Sequence, residues 1–332
     1  MSTPDCEQSV AAVVATKDRP EYVQDAVTSV CEQTYDALEV VIVDGSDGNQ
    51  TASVIEEVQS TYPSVPFTYI HNDSPRGLPA ARNQAVEVTD ADHLAFLDDD
   101  DRWHPEKITR QMSCFHSGPD DLALVHTGFV ARDNSDDQLF EFRPEYDAPA
   151  YPQILVKNIV ATPSTVVVRR EAFEEIGGFD EQLRYCEDWD FYIRLAQNNQ
   201  FTYIIDPLID HMYHEETMKN DLETLFTYRK RVLEKHTDEL QRHGLADRAW
   251  SHHYRLVGER YLQAEQREEA KAAYHRLWQR NRDIKAAVMV MILSTLPIEA
   301  ALPTIQLLST LQSRIGAPIQ TASLNIRGKS ST

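Results

Sequence analysis

Short apolar runs alternate with helical patterns in the N-terminal third of the chain. The runs lie at residues 10–15, 38–43, 67–70 and 94–97, and they are typical of strands covered on both faces. Between them apolar residues recur at helical spacing, first behind Pro20, which suits an early helical position. Strand and helix in repetition predict an α/β fold with a mostly parallel, Rossmann-like sheet covered by helices.

Polar residues follow the ends of three of these runs. Thr16 and Asp18 follow the first run, Asp44 follows the second, and the fourth ends in the consecutive carboxylates Asp98, Asp99, Asp100 and Asp101. Because ligands bind at the carboxyl ends of parallel strands, we expect these side chains to share one edge of the sheet.

The run of four aspartates indicates a cation site. Packed like charges repel one another unless a cation or a bound proton offsets them, and carboxylate oxygens suit Mg²⁺ or Mn²⁺. The alternative is a solvated acidic turn, since charge blocks are common on protein surfaces.

The second part of the chain is less regular. Residues 122–130 and 165–168 are strand-like and are interpreted as the acceptor-binding half of the same domain. From about Glu216 the pattern becomes helical, which predicts a catalytic domain at 1–215 and a helical extension at 216–332. Within the extension, residues 254–274 match the offsets of one tetratricopeptide repeat. An ordinary helical hairpin packed on the catalytic domain is at least as good an interpretation, because an independent array needs about three repeats.

Residues 286–308 are the most apolar part of the chain. Pro297 and Pro303 interrupt them, and the uninterrupted run 286–296 is shorter than the roughly 20 residues of a membrane span. A helical stripe of Ile298, Ala301, Leu302, Ile305 and Leu308 either lies in a membrane interface or packs on the protein.

Charge divides the 332 residues into two parts. The net charge of −21 is −26 over residues 1–220 and +5 over residues 221–332. The acidic part argues against a nucleic-acid partner, and the basic excess favours peripheral contact with an anionic membrane surface. Abundant Asp and Glu with few Lys indicate a salt-adapted, halophilic protein. Scattered cysteines and no secretory signal predict a cytoplasmic location.

Four segments in order resemble a known family. They are VVATKDRP at 13–20, EVVIVDGS at 39–46, RGLPAARN at 76–83 leading into the four aspartates, and IGGFD at 176–180 followed by EDWD at 187–190. Over about residues 9–215 the chain resembles a family 2 glycosyltransferase, which implies the GT-A fold.

The resemblance implies a nucleotide-sugar site. In this family Thr16, Asp18 and Asp44 would hold the base and ribose, although many relatives have a second aspartate where Gly45 stands. An ordinary turn residue is the alternative for Asp44. Arg76 and Arg82 resemble the basic residues that reach the diphosphate or the donor sugar, with a surface salt bridge as the competing role for either.

The resemblance also assigns the D-x-D signature to Asp98 and Asp100. Asp100 would bind Mg²⁺ or Mn²⁺ directly, Asp98 would act on the ribose or a metal-bound water, and Asp99 would point away. His214 resembles a histidine that closes over the diphosphate, with His211 as its rival.

Asp188 matches the general base of the family. It would take the proton of an acceptor hydroxyl during a displacement with inversion, with Glu187 and Asp190 as alternatives. Asp190 is instead expected to cap a helix at 191–197. Trp189 is either a platform for a sugar ring or, by default, part of the core.

These residues predict sugar transfer from a nucleoside diphosphate sugar to an acceptor hydroxyl in glycan assembly, with a lipid-phosphate-linked glycan as one acceptor. A metal-dependent phosphohydrolase or nucleotidyltransferase is the first alternative, and the chain lacks the P-loop and the D-x-D-x-T run of their common forms. A catalytically inactive membrane-associated scaffold is the second, and the presence of Asp98, Asp100 and Asp188 counts against it.

Overall fold

The structure is a computed structural model that describes residues 8–146, 149–213, 222–298, 300, 301 and 303. The described residues form two compact units. The first contains those up to residue 154 and from 158 to 213, and the second contains residues 155–157 and those from 222 onward. The predicted domain boundary at residue 215 lies outside the described residues and stays a prediction.

Four parallel strands form the first half of the sheet, as predicted. They lie side by side in the order β3-β2-β1-β4. β1 is buried along its whole length, and β2 and β4 have one partly exposed residue each, because helices pack on the sheet. The four strands are β1 (Val10–Thr16), β2 (Leu38–Asp44), β3 (Phe67–His71) and β4 (His93–Asp98).

The second half of the sheet is mixed. It contains β5 (Arg102–Trp103), β6 (Leu122–Arg132), β7 (Gln138–Phe142), β8 (Val166–Arg169) and β9 (Gln200–Met212). β8 runs antiparallel to both β4 and β6, whereas β9 runs parallel to β6. The apolar pattern located the strands at 122–130 and 165–168 but not their directions, since buried strands carry similar runs in either orientation.

Six α-helices of the first unit are described around this sheet. Apolar residues at helical spacing on α1 join the core under the sheet, and Pro20 occupies the first position of that helix. α3 packs against β1 and β2. The helices are α1 (Pro20–Cys31), α2 (Gln50–Thr61), α3 (Leu78–Glu87), α4 (Lys107–Ser117), α5 (Arg170–Glu175) and α6 (Glu187–Ala196).

The second unit is helical in its described residues: α7 (Leu222–Lys235), α8 (Thr237–Arg242), α9 (Ala246–Gln263), α10 (Arg267–Asn281) and α11 (Ile284–Thr295). The tetratricopeptide-like residues lie on α9 and α10, which pack together as a hairpin. A Cβ on Gly258 would lie 2.8 Å from the ring of Tyr274, so this glycine permits the close approach of the two helices.

α11 presents apolar residues in two directions. Ala286, Ile292 and Leu293 are buried in a cluster with α9 and α10, whereas Ile284 is 79% and Met291 60% exposed. None of the helices in the described part of the chain has both the length and the apolar content to cross a bilayer. Of the predicted interfacial stripe, Leu302, Ile305 and Leu308 lie outside the described residues.

Candidate functional site

The ends of three parallel strands bring the predicted polar residues to one edge. Thr16 at the end of β1 is in register with Asp44 at the end of β2, and Ala15 is in register with Asp98 at the end of β4. This register follows from the parallel pairing and agrees with the edge expected from the sequence.

The loops after β1 and β2 bind each other. The backbone N–H of Asp18 donates to Ser46 Oγ at 2.7 Å, and the N–H of Asp47 donates to Asp18 Oδ1 at 3.1 Å. Asp18 has φ of +56°, a left-handed conformation that these bonds hold in place. Its exposed side chain lies at the strand edge, where the predicted nucleotide would bind.

Asp44 is fully buried and already accepts two hydrogen bonds. Its Oδ1 accepts from the Ser46 N–H at 2.8 Å, and its Oδ2 accepts from the Tyr69 hydroxyl at 2.6 Å. The bond to Ser46 is an Asx turn, so the carboxylate shapes the loop after β2. Asp44 therefore does stabilise a turn, which was the alternative that the sequence analysis gave for this residue.

The four aspartates make different contacts. Asp99 accepts from Thr16 Oγ1 at 2.7 Å, and Arg19 Nη1 lies 3.2 Å from Asp99 and 3.1 Å from Asp100. The expectation that Asp99 points away from the site is wrong, because its carboxylate turns toward β1. Arg19 lies within the first motif but received no role from the sequence.

Asp100 lies beside three other carboxylates at this edge of the sheet. Burial, followed by the neighbouring Asp101, Asp98 and Asp99, raises the pKa of its carboxyl to about 7. A divalent cation would offset this charge, and the oxygens of Asp98 and Asp100 are donors that Mg²⁺ or Mn²⁺ accepts. Among the described residues there is no cluster of three or more metal-binding side chains.

Asp101 is a buried connector. It accepts hydrogen bonds from Ser164 Oγ, from the Met212 N–H at 3.1 Å and from His211 Nδ1 at 2.9 Å. Burial lowers the pKa of His211, but the pairing with Asp101 outweighs burial and raises this pKa to about 9. Ser164 Oγ also accepts from the Asp98 N–H at 3.0 Å. The carboxylate thus joins the end of β4 to the end of β9. His214, the predicted metal-side histidine, lies outside the described residues.

The two candidate arginines occupy different surroundings. Arg82 is 3% exposed, and its guanidinium donates to Asp98 Oδ1 at 2.6 Å and to Glu187 Oε1 at 2.8 Å. The side chain of Arg76 is 69% exposed and pairs with Glu181 at 2.8 Å. Arg82 therefore ties the end of β4 to the start of α6, while Arg76 makes the surface salt bridge that the sequence left open.

Asp188 lies in the first turn of α6, beside the residue that Arg82 holds. Its Oδ2 accepts from Asn158 Nδ2 at 3.0 Å. Burial first, and the adjacent Glu187 second, raise the pKa of Asp188 to about 7. A carboxylate whose pKa lies near neutrality is suited to accept a proton.

The start of α6 differs from the prediction. The helix begins at Glu187, so Asp190 lies inside its first turn and is not the cap of a helix at 191–197. Its buried carboxylate accepts from Arg194 Nε at 2.8 Å. Trp189 is buried and donates through Nε1 to the carbonyl of Ile154 at 2.7 Å, which is the core position expected by default.

The sequence analysis did not identify the segment 158–164, which contacts three of these carboxylates. Asn158 donates to Asp188, Thr162 Oγ1 donates to Asp98 Oδ2 at 3.3 Å, and Ser164 donates to Asp101. Isolated Asn, Thr and Ser residues in a loop are common, so no spacing in the sequence could have identified them.

Comparison with known proteins identifies relatives. Residues 11–177 match the family described as Glycosyl transferase family 2. An uncharacterized glycosyltransferase of Haemophilus influenzae is 28% identical over 220 residues, covering 66% of this chain and 73% of that protein. The amylovoran biosynthesis glycosyltransferase AmsB of Erwinia amylovora is 26% identical over 218 residues, covering 63% and 70% respectively.

Two solved structures share the fold. The mannosyltransferase PcManGT from Pyrobaculum calidifontis, in complex with GDP-Man and Mn²⁺, has a TM-score of 0.60 at 18% identity, covering 92% of this chain and 81% of that one. A S. aureus TarS fragment in complex with UDP-GlcNAc has a TM-score of 0.58 at 16% identity, covering 85% and 90%. The fold is thus of the GT-A type.

Proposed function

The chain belongs to glycosyltransferase family 2 and is a transferase, and from this premise we propose that it moves a sugar from a nucleoside diphosphate sugar to an acceptor hydroxyl with inversion at the anomeric carbon. One observation carries the proposal: Arg82 binds both Asp98 and Glu187. It thereby links the donor-side carboxylates to the helix turn that holds Asp188.

The donor would bind at the carboxyl edge of β1, β2 and β4. Thr16, Asp18 and Asp44 lie where the loops meet, and the complexes of PcManGT with GDP-Man and of TarS with UDP-GlcNAc support a nucleotide-sugar ligand. Because Asp44 already forms a turn, we propose that it acts on the base mainly by shaping that loop. Arg82 would orient Asp98, because one of its Nη atoms donates to that carboxylate while the other donates to Glu187.

Asp98 and Asp100 would hold Mg²⁺ or Mn²⁺, and the complex of PcManGT with Mn²⁺ supports divalent metal use. When bound, the ion supplies positive charge against the diphosphate of the leaving nucleotide. Asp99 and Arg19 keep the carboxylates of this turn in place.

Asp188 would act as the general base. Its carboxylate takes the proton of the acceptor hydroxyl as that oxygen bonds to the anomeric carbon, while the bond from that carbon to the diphosphate oxygen breaks. The products are the glycosylated acceptor and the nucleoside diphosphate. Glu187 is engaged by Arg82 and Asp190 by Arg194, so each is less suited than Asp188 to take the proton.

We propose a hydroxyl acceptor in glycan assembly, with a lipid-phosphate-linked glycan as one candidate. The amylovoran role named for AmsB supports glycan assembly. The exposed apolar residues Ile284 and Met291 on α11 support peripheral contact with a membrane that would present such an acceptor.

The test is a donor panel. Purified protein with Mn²⁺ and labelled UDP- and GDP-sugars should give transfer or slow donor hydrolysis, and chelation should abolish it. Asp188→Asn should lose transfer and keep donor binding by calorimetry. Asp206→Asn is the matched control, because Asp206 pairs with Arg110 and Arg143 on the surface. If no donor in the panel gives transfer or hydrolysis, the proposed function is wrong. If Asp188→Asn still transfers sugar, Asp188 is not the general base.

A further inference from the structure

Asn158 contacts the proposed base and also holds its own turn. Its Oδ1 accepts from the N–H groups of Val160 and Ala161 at 3.0 and 3.1 Å. Its Nδ2 donates to the Ala161 carbonyl at 2.9 Å and to Asp188 Oδ2 at 3.0 Å. An amide has two N–H donors, so one serves the turn and the other serves the carboxylate.

The turn that carries Asn158 is rigidly held. Ala161 has φ of +82°, an unusual conformation for a residue with a Cβ. Thr165 Oγ1 donates to the Thr162 carbonyl at 2.7 Å, and the two N–H bonds to Asn158 Oδ1 close the other side. Because the turn is fixed from both ends, the Asn158 amide is presented to Asp188 in one orientation.

The same segment also reaches the donor side. Thr162 donates to Asp98 Oδ2, and the Ser164 hydroxyl accepts the N–H of Asp98 and donates to Asp101. The position of Asp188 relative to Asp98 is therefore set twice, once through Arg82 and Glu187 and once through the segment 158–164.

We propose that Asn158 is the positioning residue of the base, holding the Asp188 carboxylate in the orientation that accepts the acceptor proton. This inference rests on the proposed role of Asp188. A donated N–H also favours the ionised carboxylate, and it opposes the effect of burial and of the adjacent Glu187.

The competing role is purely structural, in which Asn158 only closes the turn at Val160 and Ala161. Asn158→Asp separates the two roles. The aspartate keeps an oxygen for the N–H groups of Val160 and Ala161 and loses the N–H donated to the Ala161 carbonyl. It also replaces the N–H donor to Asp188 with a second carboxylate oxygen about 3 Å from Asp188, where two carboxylates cannot both ionise readily.

We expect Asn158→Asp to lower kcat by at least about tenfold with a donor KM within about twofold of wild type. It should also move the acid limb of the pH–kcat profile upward by about one pH unit. Asn158→Ser keeps a shorter turn acceptor and no donor that reaches Asp188, so kcat should fall with a smaller upward shift than in Asn158→Asp, because no second carboxylate is added. Folding is checked by circular dichroism and the thermal midpoint.

The matched control is Asn199→Asp. Asn199 follows α6 and donates to the Leu195 carbonyl, so this variant makes the same charge change away from Asp188 and should keep the wild-type pH profile. If Asn158→Asp shows wild-type kcat and pH profile while Asp188→Asn is inactive, the inference is overturned and the base assignment stands. If Asp188→Asn is active, the proposed base itself is wrong.

Discussion

Replacing Arg82 with methionine should destabilise the first unit far more than the same change at Arg76. Methionine keeps much of the side-chain volume of Arg82 but removes the guanidinium that Asp98 and Glu187 share. Arg76→Met removes an exposed pair with Glu181 and is the matched control. The sequence assigned both arginines the same role, so the comparison tests what the tertiary structure adds.

The magnitude follows from burial. Breaking a buried ion pair by removing one partner costs about 3–5 kcal/mol, because it leaves an uncompensated charge. Glu187 is 9% exposed at its side chain and Asp98 is 26% exposed, so solvent screens part of the loss at Asp98, and the lower end of that range, about 3 kcal/mol, is expected. For a unit of 150–250 residues this lowers Tm by about 6–12 °C. Arg76→Met should stay within about 1 kcal/mol.

The pH dependence gives a second measure. Burial raises the pKa of Glu187, and Arg82 opposes that rise, so its removal raises this pKa further. A carboxyl with a raised folded pKa binds its proton more tightly in the folded state, and stability is lost as pH rises through that value. The deficit of Arg82→Met should therefore be larger at neutral pH than in mild acid.

The assay is calorimetric or fluorescence-detected melting of both variants at two pH values. Adding Glu187→Gln to Arg82→Met should recover part of the loss, because one uncompensated charge is gone. A Tm for Arg82→Met no lower than that of Arg76→Met, or a deficit unchanged with pH, would refute the reasoning that Arg82 neutralises buried carboxylates.

Two further predictions concern the base and the membrane. Burial and Glu187 raise the pKa of Asp188 to about 7, so kcat/KM should rise with pH below about 7 and level off above it. Glu187→Gln should move this acid limb to lower pH. A kcat/KM that does not change with pH in mild acid would contradict the assignment of Asp188 as the base. The double variant Ile284→Ser/Met291→Ser should sediment less with anionic phosphatidylglycerol vesicles than wild type does. Val88→Ser, at an exposed apolar residue of the first unit, should sediment as wild type does. Wild-type protein that does not sediment with the vesicles would contradict membrane contact.

The first half of the fold could be predicted from periodicity. The runs at 10–15, 38–43, 67–70 and 94–97 are β1 to β4 almost to the residue. For β1, β2 and β4 the reason is that strands buried on both faces need continuous apolar sequence. The mixed half could not be predicted in the same way. The directions of β8 and β9 depend on which strands pair with them, and that pairing is decided by contacts distant in the chain.

The candidate site could likewise be predicted only in part from the sequence. Motif spacing brought Thr16, Asp44, Asp98 and Asp188 to attention, and the structure gathers the first three at one sheet edge and joins Asp98 to α6 through Arg82. Spacing could not say that Asp99 faces Thr16 or that Asp190 pairs with Arg194. A side chain takes its direction from neighbours that the local sequence does not contain.

The sequence by itself determined the residue types that the chemistry needs and the strands whose ends carry them. These are local properties, since a buried strand and a run of carboxylates are written in consecutive residues. Only the tertiary structure decided which charges meet. Arg82 lies between carboxylates 16 and 105 positions away in the chain, and Asn158 meets Asp188 across 30 positions. The orientation of the site therefore depends on packing between distant segments, where burial strengthens each ion pair and hydrogen bond.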